Sequence, residues 1–242
     1  MRRRIQLYVD DYGYKKSTDH LIEKYITQRK VVGYAVLANF YLQTNIKQKK
    51  SFLNNQSVGV HINFVEGKSV SDPQDIASLV DRNGQFYSFP IFYFRLLFGF
   101  IEKKELMTEA SAQIALILKT GAVIDEINSH QHTHALSPVA EIVEDLAANN
   151  NIPRVRSYQF VTRVTTRAKI MFYLLRLLSF LSHVKYSMRL CLPISWKKVE
   201  KPISFMSWES HHLHYKSLLP QTTLVIHPKL GFDKNLRYEK ML

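Results

Sequence analysis

An α/β fold is the class this sequence predicts, and three observations predict it. Short apolar runs rich in Val, Ile and Tyr recur from residue 5 to residue 227. Between them lie stretches of roughly ten to fifteen residues whose apolar positions return at three- and four-residue spacing, the mark of helices crossing between parallel strands. Polar residues able to carry chemistry stand at the carboxyl ends of several of these runs, where α/β folds gather ligands.

Residues 5–9 form the first strand candidate and run into Asp10, Asp11, Tyr12 and Gly13. Ser17 or Thr18 can cap the helix that follows, because a side-chain oxygen there accepts from otherwise unpaired first-turn amides. Leu21, Ile22, Tyr25 and Ile26 give that helix one apolar face. Residues 34–39 are the second strand candidate, followed by polar, lysine-bearing chain expected to hold a surface helix. Residues 58–64 are the third, and alternation puts His61 and Asn63 on one side of it. Asp72-Pro73 and Asn83-Gly84 mark turns in a long excursion that leads to a densely aromatic stretch, 86–101. Helical spacing resumes through Leu106, Ala110, Ile114, Ile117 and Leu118, with Gly121 placed to end it.

Val123 opens the next strand candidate, which ends in His130, His132 and His134 at alternate positions. In extended chain these three imidazoles point to one side. A metal site would still require a carboxylate or another histidine from elsewhere. Pro138 opens a further helix, since its missing N–H would be unpaired there anyway, and Val139, Ile142, Val143 and Leu146 supply its buried face. Residues 152–156, 205–208 and 223–227 complete the strand candidates. The stretch 169–192 is apolar but interrupted by Arg176, His183, Lys185 and Arg189, which makes it a poor membrane span. It reads as a buried or lid helix, with an interfacial helix on acidic lipid as the sharper alternative.

A chain of 242 residues is most simply one domain, 1–242, with apolar insertions near 86–101 and 169–192. Its 46% apolar and 22% charged content excludes a mainly disordered chain. The single cysteine, Cys191, allows no internal disulfide and fits a cytoplasmic protein. A formal charge of +13 suits an anionic partner. No nucleic-acid motif accompanies it, so nucleic acid is not expected, whereas peripheral contact with acidic lipid at the inner face of the membrane is admitted beside a cytoplasmic location. Arg2 to Arg4 and Lys47, Lys49 and Lys50 read as solvated surface, and residues 5–9 are too short for the apolar core of a signal peptide, which points to a mature start.

Four strand ends carry polar residues: Asp10 with Asp11, His61 with Asn63, the His130 cluster, and His227. Two adjacent carboxylates are not comfortably ionised together without a cation or strong donors. One of them can hold a divalent metal while the other takes a proton from water; turn capping is the plainer use of the same pair. His61 and His227, each alone, read equally well as structural. His20, His183, His211, His212 and His214 lack comparable placement and stay outside the site.

Residues 7–13, 58–63, 128–134, 152–156 and His227-Pro228, in that order and spacing, resemble the YdjC-like family, the chitooligosaccharide deacetylase group that also includes proteins associated with hopanoid biosynthesis. The resemblance implies a distorted (β/α) barrel related to polysaccharide deacetylases. It implies a divalent ion, magnesium or zinc, held by Asp11, His61 and His130, with Asp10 as general base and His227 as the acid that protonates a leaving amine. His132, His134 and Arg156 would face the substrate or support the ligands, as would Asn128, and Asn63 would help shape the pocket. The implied reaction removes an N-acetyl group from an amino sugar in an oligosaccharide or glycolipid, and a homodimer is admitted. Two residues depart from the family pattern. Asn128 stands where relatives often carry Asp, which removes a negative charge, and Lys229 replaces the usual glycine after His-Pro. A catalytically silent carbohydrate- or membrane-binding protein on the same fold is the alternative.

Overall fold

A computed structural model describes residues 6–28, 31–41, 52–54, 56–156, 177, 205–207 and 223–226. Six strands, β1 (Gln6–Tyr12), β2 (Gly33–Val36), β3 (Ser57–Ile62), β4 (Val123–Ser129), β5 (Phe205–Ser207) and β6 (Thr223–Ile226), form one sheet in the order β4-β3-β2-β1-β6-β5. Every pairing is parallel. Val155 bridges Ile127 in parallel on the free side of β4, so the expected strand near 152–156 is a short addition to that edge. With helices carrying the chain between the first four strands, the architecture is that of a distorted (β/α) barrel, as anticipated. Because all strands run the same way, the carboxyl ends of β1, β3 and β4 open on one side.

The helices are α1 (Lys16–Thr27), a short α2 (Ala38–Tyr41), α3 (Phe89–Leu97), α4 (Lys103–Leu118) and α5 (Val139–Asn149). Neither Ser17 nor Thr18 caps α1, which begins one residue ahead of them after an extended Lys15. Its first turn is instead tied down through Asp19, whose Oδ1 accepts from the Gly13 amide at 2.8 Å. The second strand is shorter than expected. It stops at Val36 and gives way to α2, where the buried Asn39 donates through Nδ2 to the carbonyls of Glu66 and Lys68 at 3.0 Å each. The lysine-bearing segment after Tyr41 and nearly all of 169–192 lie outside the described residues.

The aromatic stretch resolves by helical period. Phe92 and Leu96 of α3 turn inward, Phe92 stacking on Phe64 with ring centroids 6.0 Å apart, while Ile91, Phe94, Phe98 and Phe100 stay 49–54% exposed. Leu106, Ala110, Ile114 and Ile117 of α4 join the core. The same helix buries Glu109, whose carboxylate accepts the amides of Val70 and Ser71 at 3.0 and 2.9 Å and so moors the long excursion after β3.

On the inner face of the sheet, alternation and register line up Tyr8 and Asp10 of β1 with Gly59 and His61 of β3 and with Glu126 and Asn128 of β4. The Tyr8 ring lies across the strands in space left by two glycines. A Cβ on Gly33 would come within 2.6 Å of its Cε2, and one on Gly59 within 2.3 Å of its hydroxyl. Gly59→Ala is therefore expected to lower unfolding free energy by about 1–3 kcal/mol. Adding Tyr8→Phe, which removes the atom struck, should recover part of that loss, as read from denaturant midpoints.

Candidate metal centre

The site begins with a bulge. Val9 pairs with Tyr34 and Tyr12 with Val36, so β1 spends one residue more than β2 over the same span, and Asp11 takes up the excess at φ 65°. A left-handed conformation is strained for a residue with a side chain, and bulges re-aim side chains in this way. Adjacent aspartates that would point to opposite faces of a regular strand are here both buried, Asp10 at 0% and Asp11 at 1% exposure.

Asp11 meets His61 from the end of β3 and His130 from just past β4. Its Oδ1 lies 3.4 Å from His61 Nε2 and 2.9 Å from His130 Nδ1, and the two imidazole nitrogens are 3.3 Å apart. Donor atoms sharing a tetrahedral ion at bonds of about 2.0–2.1 Å stand about 3.3 Å from one another, so the spacing fits one cation. Burial works against the charge of Asp11, but the neighbouring His130 and His61 imidazoles hold its carboxyl well below the usual range. Electrostatics agree with the spacing. Buried Asp10, Asp11 and Glu126 face the guanidinium of Arg156, the single buried one among the described residues, leaving there a formal surplus of two negative charges that a divalent cation would balance.

The far nitrogen of each imidazole is also engaged. His130 Nε2 donates to Glu66 Oε2 at 2.9 Å, and the Tyr14 hydroxyl donates to Glu66 Oε1 at 2.5 Å. That bond, with burial, pushes the Tyr14 hydroxyl up to about 12. Asn63 shapes the loop that presents Glu66: its Oδ1 accepts the amides of Val65 and Glu66, and its Nδ2 donates to the Glu66 carbonyl at 2.7 Å. His61 Nδ1 bonds to Asn128 Oδ1, and Asn128 Nδ2 donates to Glu126 Oε1 at 2.9 Å.

Arg156 closes the cluster. Its Nη1 and Nη2 fork onto the two oxygens of Asp10 at 2.5 and 3.0 Å, while Nε and Nη2 reach Glu126 Oε1 at 3.1 and 2.9 Å. The guanidinium lies over the Tyr8 ring, 5.2 Å from its centroid. Burial disfavours its charge, but Asp10 and Glu126 on either side keep it protonated. Burial likewise pushes Glu126 upward, against the pull of Arg156.

The three alternate histidines do not share one side of an extended strand. Strand β4 ends at Ser129, and residues His130–Ala135 form a tight turn with Gln131 and His132 at φ 49° and 61°. His130 joins Asp11 and His61, whereas His132 is half-buried and outside the convergent trio. His134 is buried the other way, its Nδ1 on the Ser129 hydroxyl and its Nε2 donating to the Arg156 carbonyl at 3.1 Å. Burial pushes its pKa well below 6.5, so it is neutral and serves to fix the backbone of Arg156. His227 lies outside the described residues.

Sequence reasoning missed Glu66, Tyr14 and Glu126. Only Glu126 left a trace, as a charged residue within an apolar strand on the same face as Asn128. Orienting carboxylates behind metal-bound imidazoles typically carry 10- to 100-fold in affinity. Glu66→Gln should weaken divalent-metal binding by about that factor, measured by titration calorimetry, with little change in thermal stability.

Residues 4–230 match the family described as YdjC-like protein. A carbohydrate deacetylase of Oceanobacillus iheyensis is 30% identical over 158 residues, 62% of this chain and 63% of that one. A carbohydrate deacetylase of Xenopus laevis is 28% identical over 157 residues, 63% of this chain and 51% of that one. The matched region thus spans under two thirds of these relatives' own length. A crystal structure of an Enterococcus faecalis V583 protein, described as a cellobiose-phosphate cleavage protein, superposes with a TM-score of 0.62 over 94% of this chain and 80% of that one, at 17% identity, which is a likeness of fold. With the family match running across nearly the whole chain and a buried Asp-His-His trio at its centre, the chain belongs to the YdjC-like protein family.

Proposed function

We propose that this protein is a divalent-metal-dependent hydrolase that removes an N-acetyl group from an amino-sugar-containing carbohydrate. The observation that carries the reading is the convergence of Asp11, His61 and His130 beside an aspartate held by an arginine fork. Two imidazoles and one carboxylate suit zinc and similar borderline ions better than magnesium, which prefers oxygen donors. When bound, such an ion supplies Lewis acidity toward the acetamide carbonyl and lowers the pKa of water.

The chain's own groups supply the rest. Asp10 takes the proton from the attacking water, and the Arg156 fork keeps the carboxylate from turning away. The water oxygen bonds to the acetyl carbon as the carbonyl electron pair moves onto oxygen, and when the carbonyl re-forms the C–N bond breaks, giving acetate and a free amine. Protonation of the departing nitrogen is needed because an amide anion is too basic to leave, and His227 is assigned that role on the family resemblance. Tyr14 and Phe40, half-buried with ring centroids 4.8 Å apart, form an aromatic step beside His130 on which a sugar face can rest.

Acetate release from a panel of N-acetylated oligosaccharides and glycolipids tests this reading. Wild-type protein should release acetate in a chelator-sensitive way. Asp10→Asn should lower turnover by about 10²–10⁴-fold with metal content unchanged, whereas Asp11→Asn should lose the metal itself. Full activity in Asp10→Asn would remove that residue from the chemistry. No release from any substrate by the metal-loaded protein would favour the silent binding reading.

A lipid-linked substrate is favoured by one further feature. Ile91, Phe94, Phe98 and Phe100 are 49–54% exposed within ten residues, on a chain of formal charge +13. Apolar rings combined with positive charge suit the interface of an acidic bilayer. No described helix is long and apolar enough to cross a membrane. Wild-type protein should sediment with phosphatidylserine-containing vesicles, and Phe94→Ser/Phe98→Ser should stay largely in the supernatant. Equal recovery of both proteins in the supernatant would rule this surface out as a lipid contact.

A further inference from the structure

We infer that Glu126 is a positioning residue for the metal centre: acting through Asn128 it sets which nitrogen of His61 faces the ion, and with the same oxygen it locks Arg156 onto Asp10. This inference rests on the metal-dependent reading above and assigns the charge that stands behind His61.

The direction of the hydrogen bonds follows from donor chemistry. Glu126 Oε1 receives Arg156 Nε and Nη2 at 3.1 and 2.9 Å, so this oxygen is an acceptor. The Asn128 group facing it at 2.9 Å must then be the amide nitrogen. That leaves the Asn128 carbonyl oxygen toward His61, and a carbonyl only accepts. His61 must therefore carry a proton on Nδ1, and the neutral ring then presents its Nε2 lone pair toward Asp11 and His130. Each assignment is forced by the one before it, and the first is made by Glu126.

Two further observations set Glu126 apart from an ordinary structural carboxylate. It is 1% exposed, and its Oε2 has no hydrogen-bond partner among the described residues. A buried ion with a bare oxygen is a poor contributor to stability. The register also places it. The pairing of β3 and β4 shifts between Val58 and Gly59, so that Glu126 comes opposite Gly59, where the Tyr8 hydroxyl reaches, while Asn128 comes opposite His61. Asn128 is neutral, and the carboxylate two residues back returns a negative charge to the line that ends on the metal ligand.

The test uses full-length protein, zinc as the probe, and the ring-nitrogen chemical shifts of His61 in the metal-free state. Glu126→Gln keeps an acceptor but removes the charge, and should weaken zinc binding by at least about tenfold. Glu126→Gln/Asn128→Asp, which moves the carboxylate onto His61 directly, should return affinity to within about threefold of wild type. Asn128→Leu should weaken binding comparably and shift His61 away from its Nδ1-protonated form. In that background Glu126→Gln should have little additional effect, as for residues acting in one line. Unchanged affinity in Glu126→Gln overturns the inference, as does failure of the Asn128→Asp rescue in a protein that melts normally. A wild-type protein that binds no divalent ion would sink the metal-dependent reading itself. The His61 tautomer in wild type and Asn128→Leu would even then confirm or refute the proton assignment.

Discussion

Charge inside the barrel is the constraint on which the rest of the structure depends. Asp10, Asp11 and Glu126 are each at most 1% exposed, and Arg156 is the one buried guanidinium beside them among the described residues. Carboxylates removed from water are strongly disfavoured unless each finds a cation or a set of donors. Arg156 is shared between Asp10 and Glu126, so the charge of Asp11 falls to the two imidazoles. Their outer nitrogens are held in turn by Asn128 and Glu66, which leaves the inner nitrogens and Asp11 facing one point. A divalent ion there would complete an arrangement already short of positive charge. The glycine slot for Tyr8, the bulge at Asp11 and the turn at Gln131 and His132 all bring side chains into this balance.

Much of this was legible in the sequence because parallel α/β architecture has a direction. Once residues 5–9, 58–64 and the run from Val123 are recognised as parallel strands, their carboxyl ends must share one side of the sheet, and Asp10, Asp11, His61 and His130 come with them. The pattern was less informative where geometry depends on a partner strand. The bulge that buries both aspartates arises from the register of β1 against β2, and nothing local to Asp10-Asp11 distinguishes it from a turn at the strand end. The histidines misled for a related reason. Period-two spacing predicts one face only while the chain stays extended, and His132 at φ 61° has already left the strand.

The residues that escaped sequence reasoning are those whose roles come from elsewhere in the chain. Asp125 and Glu126 are neighbours of the same kind, yet Asp125 lies at the half-exposed surface, where Ser57 donates to it, while Glu126 is buried against Arg156. The β-register irregularity before Glu126 decides between them, and it belongs to the fold rather than to the dipeptide. Glu66 depends on Asn63 and Asn39 folding the loop after β3 around their carboxamides.

The relation between Glu126 and Asn128 also bears on how a metal site tolerates change. A strand presents every second residue to the same face. A carboxylate can therefore move back by two positions and remain on the inner surface, roughly 6–7 Å further along the strand. At that distance its direct attraction for the imidazole is weaker than that of a carboxylate in contact, because Coulomb energy falls with separation. An amide between the two groups offsets part of the loss, since it accepts from one and donates to the other without charge of its own. At position 126 the carboxylate also comes within reach of Arg156 and so of Asp10. The amide at position 128 thus ties His61 to Asp10 by way of Glu126 and Arg156, and makes the orientation of each dependent on the same oxygen.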